Sequence, residues 1–576
     1  MTLLTPTFKS QMTNKFVTDL GQENYYVFAG KTIGYTGNVP EASNSVDGYF
    51  LDPDQEMIFG KNVTSTDYNL MIRNKPWTAN TTYAQYDNSL EDLENTDFYV
   101  VSKEGVDYGV FKCLNNNNDA ISTHQPLVSE TSASDELYKT SDGYVWKYMY
   151  SITDANYKKF ATSDYVPLYI ESDVVNNAVE GSINSYELTD TGLGYDPNVS
   201  GTIVQTNISG LATKFYVQGD DPLTATTNYY VNSALYITQG TGAGQLRKIV
   251  GYGVEGNFKY VIVESAFTTQ PASGDLFEIS PNVVASGDGT GFQARAIVAA
   301  NTTFVESIEV VEQGSGYKYA DLTIETNESV IDNTYSQATA RAIISPKGGH
   351  GANPQDELFG HYVCLSVYFI ESEVPGEGND FRTIGVLKNP TFREAIIELN
   401  DLTGISQDDT VTQTSTGATG TVSAIDAVNT TITIGNVTGV FSDAIDEVIT
   451  INSTDYDIIA IDKNTDVFDQ RISVGITYTV GTQFVQDELV IQEDAGAQGY
   501  VYNDNGTLFL VNVKGTFANS VTDEIIGQTS GTKATINSVG ERDMIIGSED
   551  ILYVQNVSPI TRTISNTERV KIILGF

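Results

Sequence analysis

The chain has little of several residue types that mark particular classes of protein. Its 576 residues include only two cysteines, Cys113 and Cys364, so a disulfide-stabilised scaffold is excluded by count. Both lie in apolar stretches, which predicts two buried free thiols. The three histidines, His124, His350 and His361, are scattered, and neither a His-Glu-x-x-His nor a Cys-x-x-Cys motif occurs. The sequence therefore gives little support for a transition-metal site.

Basic residues are scarce as well, because 31 Lys and Arg face 74 Asp and Glu, for a formal net charge of −43. Nucleic-acid binding needs basic side chains to displace counterions, so we expect no nucleic-acid partner. We interpret the acidic charge as solubility, with an acidic binding patch as the alternative. No apolar run approaches the roughly 18 residues of a membrane span, and the N-terminus lacks a signal-peptide pattern. We expect no membrane partner and folding in a reducing cytoplasm.

What the sequence does contain is typical of β-structure. Short runs of Val and Ile are separated by Thr, Ser, Asn, Asp and many of the 50 glycines. This pattern predicts many short strands joined by turns, and so an all-β class with few short helices. The length indicates about three or four domains.

An aromatic strand dominates residues 141–156. Tyr144, Trp146, Tyr148 and Tyr150 fall on one parity, which is the period of a strand, and Asp-Gly ahead of them is a turn signal. The alternation predicts one aromatic face. That face would either fill a core or contact a partner protein.

Local patterns predict further elements in the first third of the chain. Residues 98–102 and 108–114 alternate around a Glu-Gly turn and predict a hairpin. Residues 54–75 contain apolar residues that could form a helical stripe, so we expect a helix there.

Two later regions contain repeats. Residues 185–204 and 307–326 share a strand, Gly-x-Gly-Tyr and a second strand, which predicts a pair of hairpins. A second phrase, Asp-[Asp/Glu]-x-[Val/Ile], recurs four times, from Asp408, Asp446, Asp487 and Asp523. Each copy is too small to fold alone, so we expect neighbouring copies to pack into one or two small β modules.

The known motifs of catalysis and cofactor binding are matched only in part by this sequence. Gly30-Lys31-Thr32 lacks the leading glycine and following helix of a phosphate-binding loop, and the glycine-rich residues 240–244 and 287–291 lie among strand-like segments. Asn503 to Gly506 is interpreted as a hairpin turn instead of a calcium loop. Among 74 acidic residues, no pair of carboxylates is singled out for glycoside hydrolysis. We expect no enzyme and no cofactor.

Several phrases resemble one known family. In order they are YYVFAGK, IRNKPWTANTTYAQYD, YGVFKCL, SDGYVWKYMYSI followed by YVPLYI, SVYF followed by FRTIGVLKNP, and EDILYVQNVSPITRTISNTERVKIILGF at the C-terminus. Together they resemble the baseplate wedge subunit of contractile-tailed bacteriophages, the gene-product-eight family of T-even-like myoviruses. The C-terminal phrase is the most specific. The matching segments cover less than half of the chain and leave two long insertions.

The resemblance implies a virion structural protein with a β-sandwich core. Family members are dimers within each wedge, contact other wedge proteins and take part in the baseplate rearrangement that triggers sheath contraction. The implied location is the tail baseplate of the virion, after assembly in the host cytoplasm. The insertions could contact tail fibres. The alternative function is a receptor-binding or polysaccharide-degrading tail protein.

The resemblance also suggests a domain plan. A discontinuous core would comprise residues 1–175, 353–393 and 543–576, with a β domain of duplicated hairpins inserted at 176–352 and four short β repeats at 394–542. The C-terminal strand would close a sheet formed by the N-terminal segment, since a terminal strand frays unless it is paired.

Aromatic and cationic residues of the resembling phrases are candidates for contacts between subunits, because Tyr, Trp and Arg are enriched at interfaces. For Trp146 we favour the core, with an interface as the alternative, whereas for Trp77, which follows a proline in a polar loop, we favour an interface. The interface candidates are Trp77, Tyr83, Tyr86, Tyr144, Trp146, Tyr148, Tyr553, Arg562 and Phe576.

Overall fold

The computed structural model belongs to the all-β class, with 50% of residues in strands and 8% in helices. It describes residues 4–32, 34, 38–43, 45, 55–131, 137–220, 223–298, 302–325, 335–370, 380–561 and 567–576. The α-helices in these residues are α1 Pro6–Leu20, α2 Asp154–Phe160, α3 Ser172–Asn176 and α4 Pro354–Glu357.

The strands, in chain order, are β1 Tyr25–Gly30, β2 Met57–Asn62, β3 Tyr68–Arg73, β4 Tyr99–Glu104, β5 Asp107–Asn115, β6 Tyr138–Lys139, β7 Val145–Ile152, β8 Tyr165–Pro167, β9 Ile183–Asp190, β10 Val199–Gln205, β11 Lys214–Gly219, β12 Ser233–Gln239, β13 Leu246–Glu255, β14 Phe258–Val263, β15 Leu276–Gly287, β16 Thr290–Val298, β17 Val305–Ser315 and β18 Ala320–Ile324. They continue with β19 Thr339–Ile344, β20 Tyr362–Phe369, β21 Asp380–Lys388, β22 Thr391–Leu399, β23 Thr410–Thr412, β24 Thr419–Asp426, β25 Thr431–Thr438, β26 Val448–Ile451, β27 Thr454–Lys463, β28 Val467–Asp469, β29 Ile472–Val480, β30 Leu489–Gln492, β31 Ala497–Asp504, β32 Thr507–Lys514, β33 Ser520–Gly527, β34 Lys533–Val539, β35 Asp550–Thr561 and β36 Glu568–Gly575.

The chain divides into two compact units. Unit one comprises Met1–Ser10 and Leu70–His361, and unit two comprises Gln11–Asn69 and Tyr362–Phe576. This division differs from the predicted domain plan, because residues 70–175 of the predicted core share unit one with the predicted first insertion. Packing explains the difference: Ile343, in the last strand of the predicted insertion, lies in the same hydrophobic cluster as Phe98 and Tyr150.

Unit one contains a four-stranded antiparallel sheet in the order β4-β5-β7-β6 and a larger eleven-stranded sheet from β9 to β19. Within the larger sheet, β10 to β15 form a closed ring of antiparallel pairs in the order β10-β11-β14-β13-β12-β15. The ring encloses its own apolar cluster, which includes Phe215, Leu235 and Phe277. The long strand β15 continues past the ring and pairs there with β16 and β18.

Unit two contains a five-stranded sheet in the order β28-β2-β1-β21-β35. Strand β1 near the N-terminus and β35 near the C-terminus both pair with β21, so distant segments form one sheet. The last strand, β36, pairs with β20 over eight residues. The first and the last strand of this unit, β1 and β36, are therefore both paired.

Two closed six-stranded barrels follow β21 in unit two. Barrel one has the order β22-β25-β24-β23-β26-β27 and barrel two the order β29-β32-β31-β30-β33-β34. Each barrel contains two copies of the Asp-[Asp/Glu]-x-[Val/Ile] phrase. The strands that carry the phrase pair with each other, β23 with β26 and β30 with β33. The two copies in each barrel thus lie on adjacent strands of its wall.

Backbone conformation explains the first residue of that phrase. Asp408, Asp446 and Asp487 have φ values of 70°, 68° and 65°. Aspartate tolerates this left-handed conformation better than most residues, because its short polar side chain can hydrogen-bond locally. In these three copies the aspartate lies in a turn that precedes a strand, whereas Asp523 of the fourth copy lies within β33.

Three local predictions are confirmed. Strands β4 and β5 form a hairpin in which Glu104 faces Asp107. Strands β31 and β32 form the hairpin expected around Gly506, whose φ is 99°. Cys113 and Cys364 are buried free thiols, as expected. Each of these predictions depended on sequence neighbours alone.

The helix expected at residues 54–75 is wrong, because this region forms β2 and β3. The first four residues of β2 are buried, which no single helical face would allow. Gly60 lies so close to its neighbour that an added Cβ would be 2.5 Å from the Phe468 ring. Tertiary contacts on both sides of the strand override the local pattern.

The two predicted Gly-x-Gly-Tyr hairpins are also wrong. Strand β9 pairs with β19, while β10 pairs with β11 and β15. In the second copy β17 pairs with β16, and β18 with β15 and β19. The glycines do turn the chain, but each turn sends the next strand to another partner. Tyr195 and Tyr317 are buried at these turns.

Helix α1 was not anticipated by the sequence patterns. Pro6 occupies its first position, where the missing N–H is tolerated, and Thr5 Oγ1 accepts a hydrogen bond from Phe8 N at 3.3 Å. A proline preceded by a threonine is a helix-start signal.

Candidate functional site

Five of the nine interface candidates fill the core of unit one. Tyr144 and Trp146 have no exposed surface, and Tyr83, Tyr86 and Tyr148 are at most 8% exposed. A side chain without exposed surface has none to offer a partner. The open choice between core and interface for Trp146 is thus decided for the core, and we correct the interface assignment of the other four in the same way.

The aromatic face of β7 is interrupted by a β-bulge. Val110 faces Tyr150 while Phe111 faces Tyr148, so Met149 is the extra residue. After the bulge the alternation is shifted by one residue. Tyr150 therefore packs in a different cluster from Tyr144, Trp146 and Tyr148, and the predicted single aromatic face ends before it.

Trp77 differs from the buried aromatics. Its ring is half-buried, and its Nε1 donates a hydrogen bond to Ser122 Oγ at 3.2 Å. Ile121, which precedes Ser122 in the chain, is 56% exposed. The prediction that Trp77 contacts a partner is compatible with this placement and stays a prediction.

The C-terminal candidates lie in unit two. Tyr553, in β35, is half-buried and donates a hydrogen bond to Gln555 Oε1 at 2.6 Å. Phe576 is half-buried against Phe16 of α1, with ring centroids 5.3 Å apart. Arg562 lies outside the described residues.

A buried charge cluster lies behind the aromatic sheet in unit one. The Lys112 ammonium donates to Glu357 Oε2 at 2.7 Å and to His350 Nδ1 at 3.0 Å. It also lies 3.9 Å from the centroid of the Tyr86 ring, which is a cation–π contact. All four side chains are buried. The Tyr86 ring thus stabilises a cation inside the chain.

Burial sets the protonation of this cluster. Removal from water lowers the pKa of Lys112, and the neighbouring Glu357 carboxylate opposes that shift. Burial, followed by the charges of Lys112 and Lys147, places the pKa of His350 well below its ordinary value. His350 is therefore neutral at physiological pH and can accept the hydrogen bond from Lys112.

The cluster fixes a glycine-rich loop against the sheet. Glu357 Oε1 accepts hydrogen bonds from Gly351 N at 2.8 Å and from Asn353 N at 3.2 Å. Gly349, with φ of 102°, lies so close to Val179 N that an added Cβ would be 2.5 Å away. Carboxylate, ammonium and imidazole are the groups of acid–base chemistry, but here their hydrogen bonds tie one part of the chain to another.

Sequence reasoning missed this cluster. His350 was noted only as a scattered histidine, and Lys112 only as part of an apolar strand. The available signal was a lysine in the centre of a strand that is otherwise apolar, because a buried lysine needs a partner. The identity of that partner, more than 200 residues away, has no local signature.

A second charge cluster lies in unit two, next to barrel two. Lys31 Nζ lies 2.9 Å from Asp380 and 2.6 Å from Asp487, and Arg382 contacts the same two carboxylates at 2.7 and 3.3 Å. Asn512 Nδ2 in barrel two donates to Lys31 O at 3.0 Å. Two cations and two anions thus join the five-stranded sheet to barrel two.

Two structural features are absent from the described residues. No three or more His, Cys, Asp and Glu side chains are grouped there in a way that could hold a metal ion. No helix in the same ranges combines the length and apolar character that a membrane span requires.

No family model matches the chain, and no curated protein matches it. Functional arguments therefore depend on the residues themselves.

Proposed function

We propose that the chain is a structural subunit of the baseplate wedge of a contractile bacteriophage tail. In this role it joins neighbouring wedge proteins, is a homodimer within each wedge, and takes part in the rearrangement that triggers sheath contraction. It works in the virion after assembly in the host cytoplasm, and the role requires neither catalysis nor a cofactor.

The observation that carries this proposal is the placement of the resembling phrases. The phrases that contain β1, β21 and β35 are hundreds of residues apart in sequence, yet these strands are neighbours in one sheet. The phrase with SVYF and the last phrase supply β20 and β36, which also pair. Phrases shared with a family are expected to meet in this way when they encode its common scaffold.

The long insertion fits the same interpretation. Both barrels lie between β21 and β35 in the chain and have their own closed hydrogen-bonding networks. A scaffold tolerates an insertion of this kind when the added residues form modules that satisfy their own backbone hydrogen bonds. The barrels are thus accessory modules, with tail fibres as a candidate partner.

Strand β35 supplies a candidate assembly surface. In the described part of the chain it pairs with β21 and with no other strand, so it lies at the edge of the five-stranded sheet. Leu552 and Ile560 are 49% and 41% exposed on it. Pro559 is compatible with an edge position, where a missing N–H costs no ladder hydrogen bond. Edge strands with exposed apolar residues favour association.

The test is complementation in the phage that encodes the chain. After disruption of the gene, wild-type protein is expected to restore complete baseplates, whereas Leu552→Glu is expected to give folded protein that fails to assemble. Val428→Glu is the matched control, because Val428 is 90% exposed in a turn of barrel one. Contractile tails that assemble and function without this polypeptide would disprove the proposal.

A further inference from the structure

Unit one contains an open cleft that the assembly role does not use. Its volume is about 680 Å³, within the usual range for ligand sites. Residues 84–90 and 116–119 form one wall, and residues 186–191 and 304–306 form the other. The cleft therefore lies where the resembling part of unit one faces the inserted strands.

The polar groups of the cleft both donate and accept hydrogen bonds. They comprise three carboxamides, four carboxylates and two hydroxyls: Gln85, Asn116, Asn118, Asp87, Asp119, Glu187, Glu306, Thr191 and Tyr186. Neither lysine nor arginine lines the described walls. Phosphorylated or carboxylated ligands are disfavoured there, because their charge would face carboxylates without a cation in the lining.

Apolar side chains alternate with these polar groups. Phe304 is 39% exposed and Leu90 is 46% exposed, and both line the cleft together with Leu188. A half-exposed phenylalanine presents a flat apolar surface on which a ring with C–H groups can stack. The cleft thus offers an apolar surface next to hydrogen-bond donors and acceptors.

The walls are held in place before any ligand arrives. Arg341 forms ion pairs with Asp87 on one wall and with Glu187 on the other, the latter at 2.9 Å. Gln85 Nε2 donates to Tyr186 O and Asn118 Nδ2 donates to Glu306 O, each at 3.1 Å. Preorganisation of this kind reduces the entropy cost of binding.

We propose that this cleft binds a neutral saccharide. A sugar ring has hydroxyls that both donate and accept at its edge and C–H groups on its face, which matches the mixed lining. Gln85 and Asn118 each use one carboxamide N–H inside the walls, and a lysine or arginine side chain, which offers donors only, could not accept from the second N–H of either. Arg341 already neutralises part of the carboxylate charge that would attract such a cation. Saccharide binding would add surface recognition to a structural subunit and does not depend on the assembly role.

The test uses the full-length purified chain and an array of neutral hexose and N-acetylhexosamine oligosaccharides, followed by calorimetry on those retained. At least one oligosaccharide is expected to bind with an affinity that changes little between low and high salt. Phe304→Ala is expected to weaken that affinity about tenfold, which corresponds to the loss of one stacking contact. Phe258→Ala is the matched control, because Phe258 is 44% exposed in β14 and lies outside the cleft.

A second variant separates a saccharide from a basic peptide. Glu306→Gln keeps a hydrogen-bond acceptor, so saccharide affinity is expected to change by less than about threefold. A lysine-rich peptide bound at the same place would lose affinity in this variant and with added salt. The proposal is overturned if no neutral saccharide binds, if binding survives Phe304→Ala, or if the cleft binds the peptide in preference.

Discussion

The two barrels of unit two have the same strand order but are attached to their sheet by different forces. Barrel one shares one continuous hydrophobic cluster with the sheet, in which Tyr26, Phe392 and Phe468 contact one another with centroids 5.3–5.8 Å apart. Barrel two has a separate apolar cluster of its own. It contacts the sheet through Lys31, Arg382 and the carboxylate of Asp487.

This difference shows that one topology can be a fixed part of a core or a separable lobe. Apolar burial grows with contact area and does not depend on pH. Ion pairs depend on pH, salt and geometry. Barrel two is thus the module that solution conditions can loosen, while barrel one is expected to unfold together with the sheet.

The largest effect is expected from the shared core. Phe392→Ala should lower the free energy of unfolding by about 3–5 kcal/mol, because it leaves a cavity where barrel one meets the sheet. Calorimetry should show barrel one and the sheet destabilised together. The control is Leu510→Ala, in the separate core of barrel two, which should destabilise that barrel alone. Equal effects of both variants on the sheet would contradict the comparison.

The fully buried ion pair of Lys112 and Glu357 tests how much burial adds to a charged contact, in contrast to the partly exposed ion pairs at barrel two. Glu357→Gln in unit one should cost about 3 kcal/mol, because Lys112 loses its counter-charge inside the core. The amide can still accept hydrogen bonds from the loop, so the cost lies at the lower end for a broken buried pair. Chemical denaturation measures it. A loss below about 1 kcal/mol, which is the upper value for exposed pairs, would show that burial adds nothing.

A smaller effect is expected at barrel two. Asp487→Asn removes both ion pairs and should cost about 1–2 kcal/mol, because hydrogen bonds to charged groups are replaced by neutral ones. Hydrogen exchange should increase where barrel two meets the sheet and stay unchanged in barrel one. Asp446→Asn is the matched control, since Asp446 has the same backbone conformation and no ion pair among the described residues. An identical response to both substitutions would exclude the charged attachment.

The smallest effect is expected from mild acid. Burial works against ionisation of Asp380, but hydrogen bonds from Lys31 and Arg382 outweigh it, so its pKa lies below 3.8. A carboxylate with a lowered pKa stabilises the fold above its unfolded pKa and loses that effect as the pH falls through the folded value. The part of the sheet around Lys31 and Arg382, where it contacts barrel two, should therefore loosen below about pH 4, by less than about 1.4 kcal/mol per pH unit for one proton. Hydrogen exchange at stepwise lower pH measures this change, and simultaneous loosening of barrel one would contradict it.

A third ring of strands extends the comparison to unit one. The order β10-β11-β14-β13-β12-β15 becomes the order of the two barrels when the strands are numbered from β11, with β10 counted last, so the ring is a circular permutation of their strand order. The phrase that marks the barrels in sequence does not occur in β10 to β15. The same closed arrangement thus arises without the repeated aspartate.

Particular residues show which features of the fold and of the charge clusters local sequence patterns can predict. The hairpins at Gly105 and Gly506 were predictable, because turn residues and alternation act between neighbours. The strand at Gly60 was not, since its conformation depends on Phe468, which lies about 400 residues later. The charge clusters at Lys112 and Asp487 were missed for the same reason, since their partners come from distant segments.

The amino-acid sequence by itself determined the β class, the local turns, the buried thiols and the repeated phrase, because each follows from residue type and short-range periodicity. Tertiary structure alone decided which strands pair, that most of the aromatic candidates are buried, and how each barrel is attached. Those outcomes depend on which distant surfaces exclude water together, and on where buried charges find their counter-charges.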